Sequence, residues 1–471
     1  MDRRAWRRVL GGLACGVLLG GCASSVALHV PRAGSEVACV APAQPRDVVV
    51  GVAISGGGSR AALYGAAGLE ALARVRTPEG DSLLERVGYL SSVSGGSVAS
   101  GYFVSKKPPR ETPILGPDGA FTADYRAFFD RYKEILTQDF ESALIWRQLG
   151  KFRWLNPALA AQSLAEIFAE RLYGEVTWTE LRAREARGDS PRLIVNTTLY
   201  NNGRRLEIST LPSEAFRYDF FQDLKASLAR RGQTADIPQP LVERWESLIP
   251  VSPLDLHVDP CQMRLAGAVA ASASFPPLVG PITFKVGDEE LYWHTGDGGL
   301  YENQGIESLL FVFLKQLQER KARRVLILAF DSSYPFSVGY KQLSRRAEPF
   351  TLFSFDFSRI PSIMEERATA YQALFFRSLQ IEGVFPGPQT ARVIFMRHTD
   401  AQWKPDLSDL PGACRAEKPP LVTPTEVVER IAEIPTRFWL ASECDRQLLT
   451  TAAAKIVEQK RAEITEFLRG P

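Results

Sequence analysis

Ser94 ends an apolar run, Val87-Gly88-Tyr89-Leu90-Ser91-Ser92-Val93-Ser94-Gly95-Gly96-Ser97, that reads as a strand breaking sharply into a helix. A hydrolase presents a nucleophile in this way, and the small residues Ser92 and Gly96 flank Ser94 at the spacing of a G-x-S-x-G elbow, with the first glycine replaced by Ser92. Taken singly, the run also fits an ordinary turn feeding a helix. Upstream, the strand pattern Val48-Val49-Val50-Gly51-Val52-Ala53-Ile54 gives way to Ser55-Gly56-Gly57-Gly58-Ser59-Arg60-Ala61-Ala62. Glycines that open a helix can turn consecutive N–H groups toward one point, where the helix terminus adds positive potential. A nest of this kind binds an anion. Neither the G-x-x-x-x-G-K-[ST] nor the G-x-G-x-x-G spacing of a phosphate loop is present. An oxyanion hole for acyl transfer fits better, and each of its donors contributes about 3–4 kcal/mol to transition-state binding.

The third group is Asp297, in Tyr292-Trp293-His294-Thr295-Gly296-Asp297-Gly298-Gly299, a pattern that alone reads as a turn. Taken in order, Ser55-Gly56-Gly57-Gly58-Ser59-Arg60, Ser92-Val93-Ser94-Gly95-Gly96 and Asp297-Gly298-Gly299 resemble the patatin-like phospholipases and their cytosolic phospholipase A relatives. The resemblance implies a Ser-Asp dyad. Ser94 would be the nucleophile, Asp297 its base without a histidine, and Gly56, Gly57 and Gly58 the oxyanion loop. It also makes Arg60 a candidate ligand for a substrate phosphate, with a salt bridge or a helix-surface position as the alternative. Ser55 stands where plant patatins have Asp, and Ser92 where most members have Gly. The small-residue segment Leu265-Ala266-Gly267-Ala268-Val269-Ala270-Ala271-Ser272-Ala273-Ser274-Phe275-Pro276-Pro277 is similar to the family's A-S-x-A-x-P segment. Asn303 matches its D-G-G-x-x-x-N pattern, with Gly305 in place of the usual proline.

A dyad requires a desolvated aspartate, because a free Asp near pKa 3.9 is a poor base for a hydroxyl. Tyr292 and Trp293 are the expected apolar wall. The chain holds four histidines, His29, His257, His294 and His398, and in the α/β-hydrolase order only His398 lies downstream of Asp297, which keeps a conventional triad open.

These residues need elements to carry them. Strand patterns at Val48–Ile54, Arg192–Thr198, Arg324–Phe330 and Ala391–Met396 alternate with helical stretches, which predicts one α/β domain over residues 47–471 with a mainly parallel central sheet and helices on both faces. Tyr200-Asn201-Asn202-Gly203-Arg204 predicts a hairpin turn. Residues 105–190, rich in charge and aromatics, predict a helical insertion placed to cap the site. Phe350–Phe357, followed by a helix to about Leu379, is a second candidate cover.

The amino terminus carries an address. Arg3, Arg4, Arg7 and Arg8 precede an apolar run, Val9 to Leu19, too short for a membrane span. Leu19-Gly20-Gly21-Cys22 then resembles a bacterial lipoprotein signal, with residues 1–21 removed, Cys22 lipidated and 22–46 a linker. Ala23, rather than Asp, after the cysteine implies the outer membrane if the cell has one. Residues 1–21 hold four arginines and Asp2, so their loss takes the formal charge from +2 to −1. That balance argues against nucleic acid as a partner and leaves the lipid anchor to hold the membrane. Cys39, Cys261, Cys414 and Cys444 permit two disulfides, and Cys414 with Cys444 is the expected pair because both lie in the C-terminal region. No metal-ligand cluster and no cofactor motif is apparent. Together these features predict a membrane-anchored acyl-ester hydrolase for phospholipids or lysophospholipids. The same dyad would also serve a thioesterase or acyltransferase, and a non-catalytic lipid-binding envelope lipoprotein is the reading outside enzymology.

Overall fold

Val50, Val52 and Ile54 project from one face of a central strand and Val49 and Ala53 from the other, and both sets are buried in separate clusters. A strand covered on both faces has no room for polar alternation, so its sequence is an unbroken apolar run. The computed structural model describes residues 27–151, 153, 158–276, 279–333 and 359–470. The expectations for residues 1–21, Cys22 and Phe350–Phe357 lie outside them.

Nine strands are described: β1 (Ala27–Val30), β2 (Val48–Ile54), β3 (Val87–Val93), β4 (Arg192–Leu199), β5 (Arg204–Ser209), β6 (Ile282–Val286), β7 (Tyr292–Asp297), β8 (Arg324–Asp331) and β9 (Ala391–Arg397). They form one sheet in the order β1-β6-β7-β4-β3-β2-β8-β9, with β5 on β4. The run β4-β3-β2-β8-β9 is parallel, and antiparallel pairs join β7 to β4, β6 to β7 and β5 to β4. This is the expected mainly parallel α/β fold. The Gly58–Ala73, Gly95–Lys106 and Glu443–Arg469 helices share the cluster under Val50, Val52 and Ile54, and the Ile306–Gln318 helix covers the other face. There Gly51 gives the helix close approach, because a Cβ would lie 2.7 Å from the ring of Phe313, which would have to shift. Each fully buried Val, Leu or Ile in these layers contributes about 1.5–3 kcal/mol.

Two expectations change in detail. Residues 27–46, read as linker, belong to the fold: β1 pairs with β6, and Cys39 is disulfide-bonded to Cys261. The hydrophobic register with Ile282–Val286 makes a strand of a segment too short to announce itself. The 105–190 insertion is helical as expected, in Ala123–Leu136, Phe140–Gly150, Ala158–Phe168 and Trp178–Arg187. It is no loose cap, because Tyr125, Phe128, Phe129, Tyr132, Phe168 and Trp178 belong to the main core. The Tyr132 and Tyr173 hydroxyls donate to the carbonyls of Ala99 and Val98, bracing the helix that follows Ser94. Finally, Cys414 pairs with Cys444 as expected, and the Tyr200–Arg204 segment turns β4 into β5.

Candidate active site

Ser94 joins β3 to the Gly95–Lys106 helix with φ 50° and ψ −120°, a backbone state that L-residues rarely occupy. Such strain persists only where neighbours over-determine it. Here the Ser94 N–H donates to Ser272 Oγ at 2.8 Å, and Ser272 Oγ donates to the Asn196 carbonyl at 2.6 Å. Ser97 Oγ lies 3.0 Å from the same oxygen. The small-residue segment thus contributes a specific clasp on the elbow as well as close packing. The glycines after Ser94 allow the elbow to touch the glycine loop directly. A Cβ on Gly95 would stand 1.9 Å from the Gly58 carbonyl oxygen, and one on Gly96 2.4 Å from that of Ile54.

The register of β4 brings Asp297 to the serine. Asn196 of β4 is paired with Val93, the last residue of β3, and the next residue, Thr197, is paired with Asp297, the last of β7. Both residues also pair with β5, which therefore lies along the opposite edge. Two strands running head-on along one edge of β4 must meet at their C-terminal ends. Ser94 Oγ donates to Asp297 Oδ2 at 2.7 Å, and Asp297 Oδ1 accepts the Gly299 N–H at 2.8 Å. Asp297 is 2% exposed. Burial pushes its carboxyl up to about 7, against the pull of those two hydrogen bonds. A carboxylate in that range is poised to take a hydroxyl proton near neutral pH.

Ser55, Gly56, Gly57 and Gly58 cross the top of β2. Ser55 Oγ accepts the Ser332 N–H at 2.8 Å, and the Gly56 N–H donates to the Asn303 carbonyl at 2.8 Å. Of the three glycines, Gly56 therefore has its donor already engaged. Gly57 (φ 137°) and Gly58 (φ 60°) open the following helix with no acceptor for their N–H groups among the described residues. Left-handed φ is what turns these donors outward, and Gly58 lies against Gly95 beside the nucleophile.

Arg60 is 1% exposed, and its Nη1 donates to the Ile434 carbonyl at 2.6 Å. Its guanidinium thus tethers the C-terminal segment inside the molecule. Nearby, the Ser59 N–H donates to the Arg437 carbonyl at 2.7 Å, so residues 434–437 cover the flank of the glycine loop. Sequence reasoning missed this role of the C-terminal region, since main-chain carbonyls carry no residue signature. Ser272 had a signal in its motif but was read only as packing.

Asn303 fills a slot between two glycines: its Oδ1 lies where a Cβ on Gly56 would be 2.0 Å away and one on Gly299 2.7 Å away. No histidine hydrogen-bonds Ser94 or Asp297 among the described residues, which include all four. His398 is buried with Nδ1 3.2 Å from the Asp331 carbonyl, and its pKa is pushed down by burial and by Arg60. His294 Nδ1 faces Thr283 Oγ1 at 2.8 Å. The expected wall of Tyr292 and Trp293 does not form, because alternation along β7 sends Trp293 into the core against Phe284 and leaves Tyr292 exposed. Tyr200 is the aromatic beside Asp297, its hydroxyl lying where a Cβ on Gly296 would be 2.3 Å away. Cys39, Asp259 and Cys261 are grouped closely enough to hold a metal, but the disulfide removes both thiolates as ligands.

The strand-elbow Ser94, the buried Asp297 and the glycine loop thus meet at one edge of the α/β sheet. The family model of patatin-like phospholipases matches residues 52–310, and the chain belongs to that family of lipid ester hydrolases. Among solved structures it is similar to human GIVD cytosolic phospholipase A2, with 15% identity and a TM-score of 0.47 over 90% of this chain and 60% of that one. The same human protein in complex with methyl gamma-linolenyl fluorophosphonate gives 16% identity and a TM-score of 0.43 over 89% and 58%. VipD from Legionella pneumophila gives 10% identity and a TM-score of 0.30 over 88% and 67%. The chain thus spans about 60% of the length of the human structure it matches. Compared with curated proteins by sequence, it finds no match.

Proposed function

We propose that the protein is a membrane-anchored phospholipase or lysophospholipase that works through a Ser94-Asp297 dyad. The observation that carries the reading is the 2.7 Å hydrogen bond from Ser94 Oγ to a buried carboxylate, made at a strained elbow. In the reaction, Ser94 Oγ attacks the ester carbonyl carbon as its proton passes to Asp297 Oδ2. The tetrahedral oxyanion is received by the Gly57 and Gly58 N–H groups. The intermediate collapses, the alcohol portion leaves with the proton from Asp297, and Ser94 keeps the acyl group. Water then gives a proton to Asp297, attacks the acyl carbonyl and releases the fatty acid, and the proton returns to Ser94.

Anchoring through lipidated Cys22 in a bacterial envelope, facing the periplasm, belongs to the same reading. Two disulfides, Cys39–Cys261 and Cys414–Cys444, fit an oxidising compartment. No helix among the described residues is long and apolar enough to cross a membrane. With β1 starting at Ala27, only residues 23–26 separate Cys22 from the sheet. Five residue steps reach at most about 18 Å, so an acylated Cys22 would hold the domain against the bilayer that contains its substrate.

The test is covalent labelling by a fluorophosphonate probe. Wild type labels, Ser94→Ala does not, and Asp297→Asn labels at a strongly reduced rate. Equal labelling of wild type and Ser94→Ala removes the dyad.

A further inference from the structure

Between Asp297 and the Ile306–Gln318 helix lies a turn whose buried carboxyl, Glu302, takes no part in the proposed proton transfer. Its Oε1 accepts the Gln304 N–H at 2.7 Å and its Oε2 the Gly305 N–H at 2.8 Å. Its own main-chain N–H donates to the carbonyl of Gly298, the residue after Asp297, at 3.1 Å. Glu302 is thus bound at both ends to the main chain of the turn that carries the base.

The Gln304 N–H belongs to the same peptide group as the Asn303 carbonyl. A trans peptide is planar, and its C=O and N–H point in opposite directions. The Asn303 carbonyl accepts the Gly56 N–H at 2.8 Å, so Glu302 grips one end of a peptide group whose other end grips the glycine loop. A strong acceptor on the N–H polarises the carbonyl and strengthens its bond to Gly56. Rotating that peptide would break both bonds. Side chains hold the turn as well: Gln304 Nε2 donates to Asp331 Oδ2 at 3.1 Å, and Asn303 Nδ2 lies 3.2 Å from Ser333 Oγ. Gly305 completes the grip. Its φ of 70° is open to glycine and closed to proline, and a proline, the family's usual residue here, would bring no N–H. The second donor on Glu302 is therefore one that this chain has and the family pattern lacks. Arg205, itself 1% exposed, supplies the nearby positive charge, which opposes the upward push that burial and Glu307 give the Glu302 carboxyl.

We infer that Glu302 is a positioning residue for the oxyanion loop: through the peptide between Asn303 and Gln304 it fixes where the Gly56 N–H is held, and so where the Gly57 and Gly58 N–H groups point. The role rests on the dyad and glycine loop proposed above. An acceptor just ahead of a helix is also an ordinary capping device, which would act on stability alone. The two roles differ in what they do to the rate of attack on the nucleophile's target.

Glu302→Met keeps the length of the side chain and removes both acceptors, and Glu302→Gln leaves one acceptor oxygen for two N–H groups. Fluorophosphonate labelling of the full-length protein is followed against probe concentration, well below the Tm of each variant, and resolved into kinact and KI. In Glu302→Met, kinact should fall about tenfold or more while KI changes little, and Glu302→Gln should lie between it and wild type. Glu302→Gln is close to isosteric, so it keeps the test decisive if Glu302→Met does not fold. A wild-type kinact in either folded variant, even with a lowered Tm, reduces Glu302 to a cap and overturns the role while the dyad stands. A change confined to KI overturns it too, by placing Glu302 in substrate binding. If wild type itself does not label, the dyad fails and the role fails with it.

Discussion

Asp297 carries two opposed consequences of one pKa. In the proposed dyad it would act as base only when ionised, so kcat/KM should rise with pH through about 7 and level off above it. A profile flat from pH 5 to 8 would contradict that role. For stability the sign runs the other way. The carboxyl titrates near 3.9 in the unfolded chain and about 7 in the folded one. Between those values the folded state holds a proton that the unfolded chain has released, so stability is present below pH 4 and declines as pH rises through 7. Asp297→Asn should therefore have a higher Tm than wild type above pH 7, with the difference vanishing toward pH 4 while activity is lost. Calorimetric scans across that range check it. Ser272 acts at the same scale. Ser272→Ala leaves the Ser94 N–H and the Asn196 carbonyl without their shared partner, so it should cost about 1–3 kcal/mol of stability. Because the clasp orients the elbow and not the acyl chain, kcat should fall while KM changes little. A reversed split would assign Ser272 to substrate binding.

At the scale of elements, the site is a contact between two strand-to-helix turns. Gly95 against the Gly58 carbonyl leaves no space for a methyl group, so Gly95→Ala must push the glycine loop off the elbow. The expected outcome is insoluble protein, or folded protein with fluorophosphonate labelling reduced at least about a hundredfold, the usual effect of losing one oxyanion donor. Folded, normally labelling protein would show that the two turns need not touch. The C-terminal segment is the third partner. Cys414–Cys444 ties the Gly412–Ala416 turn, upstream of residues 434–437, to the Glu443–Arg469 helix, and Ile434 and Arg437 hold Arg60 and the Ser59 N–H. Replacing both cysteines by serine should destabilise the protein by about 3 kcal/mol, as expected for a loop of this length. Labelling should slow in the same variant. A Tm drop without slower labelling would confine the disulfide's role to stability.

Across the whole molecule, the proposed lipidation of Cys22, a short path from β1, would set where the enzyme works. Cys22→Ser should move the protein from the membrane fraction to the soluble one. Activity on monomeric short-chain esters should be unchanged, while activity on vesicles falls. Membrane retention in the Cys22→Ser protein would point to a surface other than the lipid anchor. The edge strand β1 also shows why residues 27–46 are not a linker. Ala27–Val30 is a four-residue strand whose burial pattern is set by Ile282–Val286, more than 250 residues away.

Local chemistry made much of the site readable before any fold was known. A left-handed or crowded turn admits little but Gly, a strained elbow needs a small nucleophile flanked by small residues, and a fully buried strand must be apolar, so Ser94, Gly57, Gly58 and the parallel strands left marks in residue type and spacing. Asp297 was visible only through its glycines. Its proximity to Ser94 came from the shared edge of β4, a register that no local pattern encodes. Pairing at long range likewise decided the Cys39–Cys261 partner, the burial of Arg60 against Ile434 and the packing of residues 105–190 into the core. Those outcomes depend on which surfaces meet, and the meeting is fixed by the summed burial of the whole chain and not by any one segment.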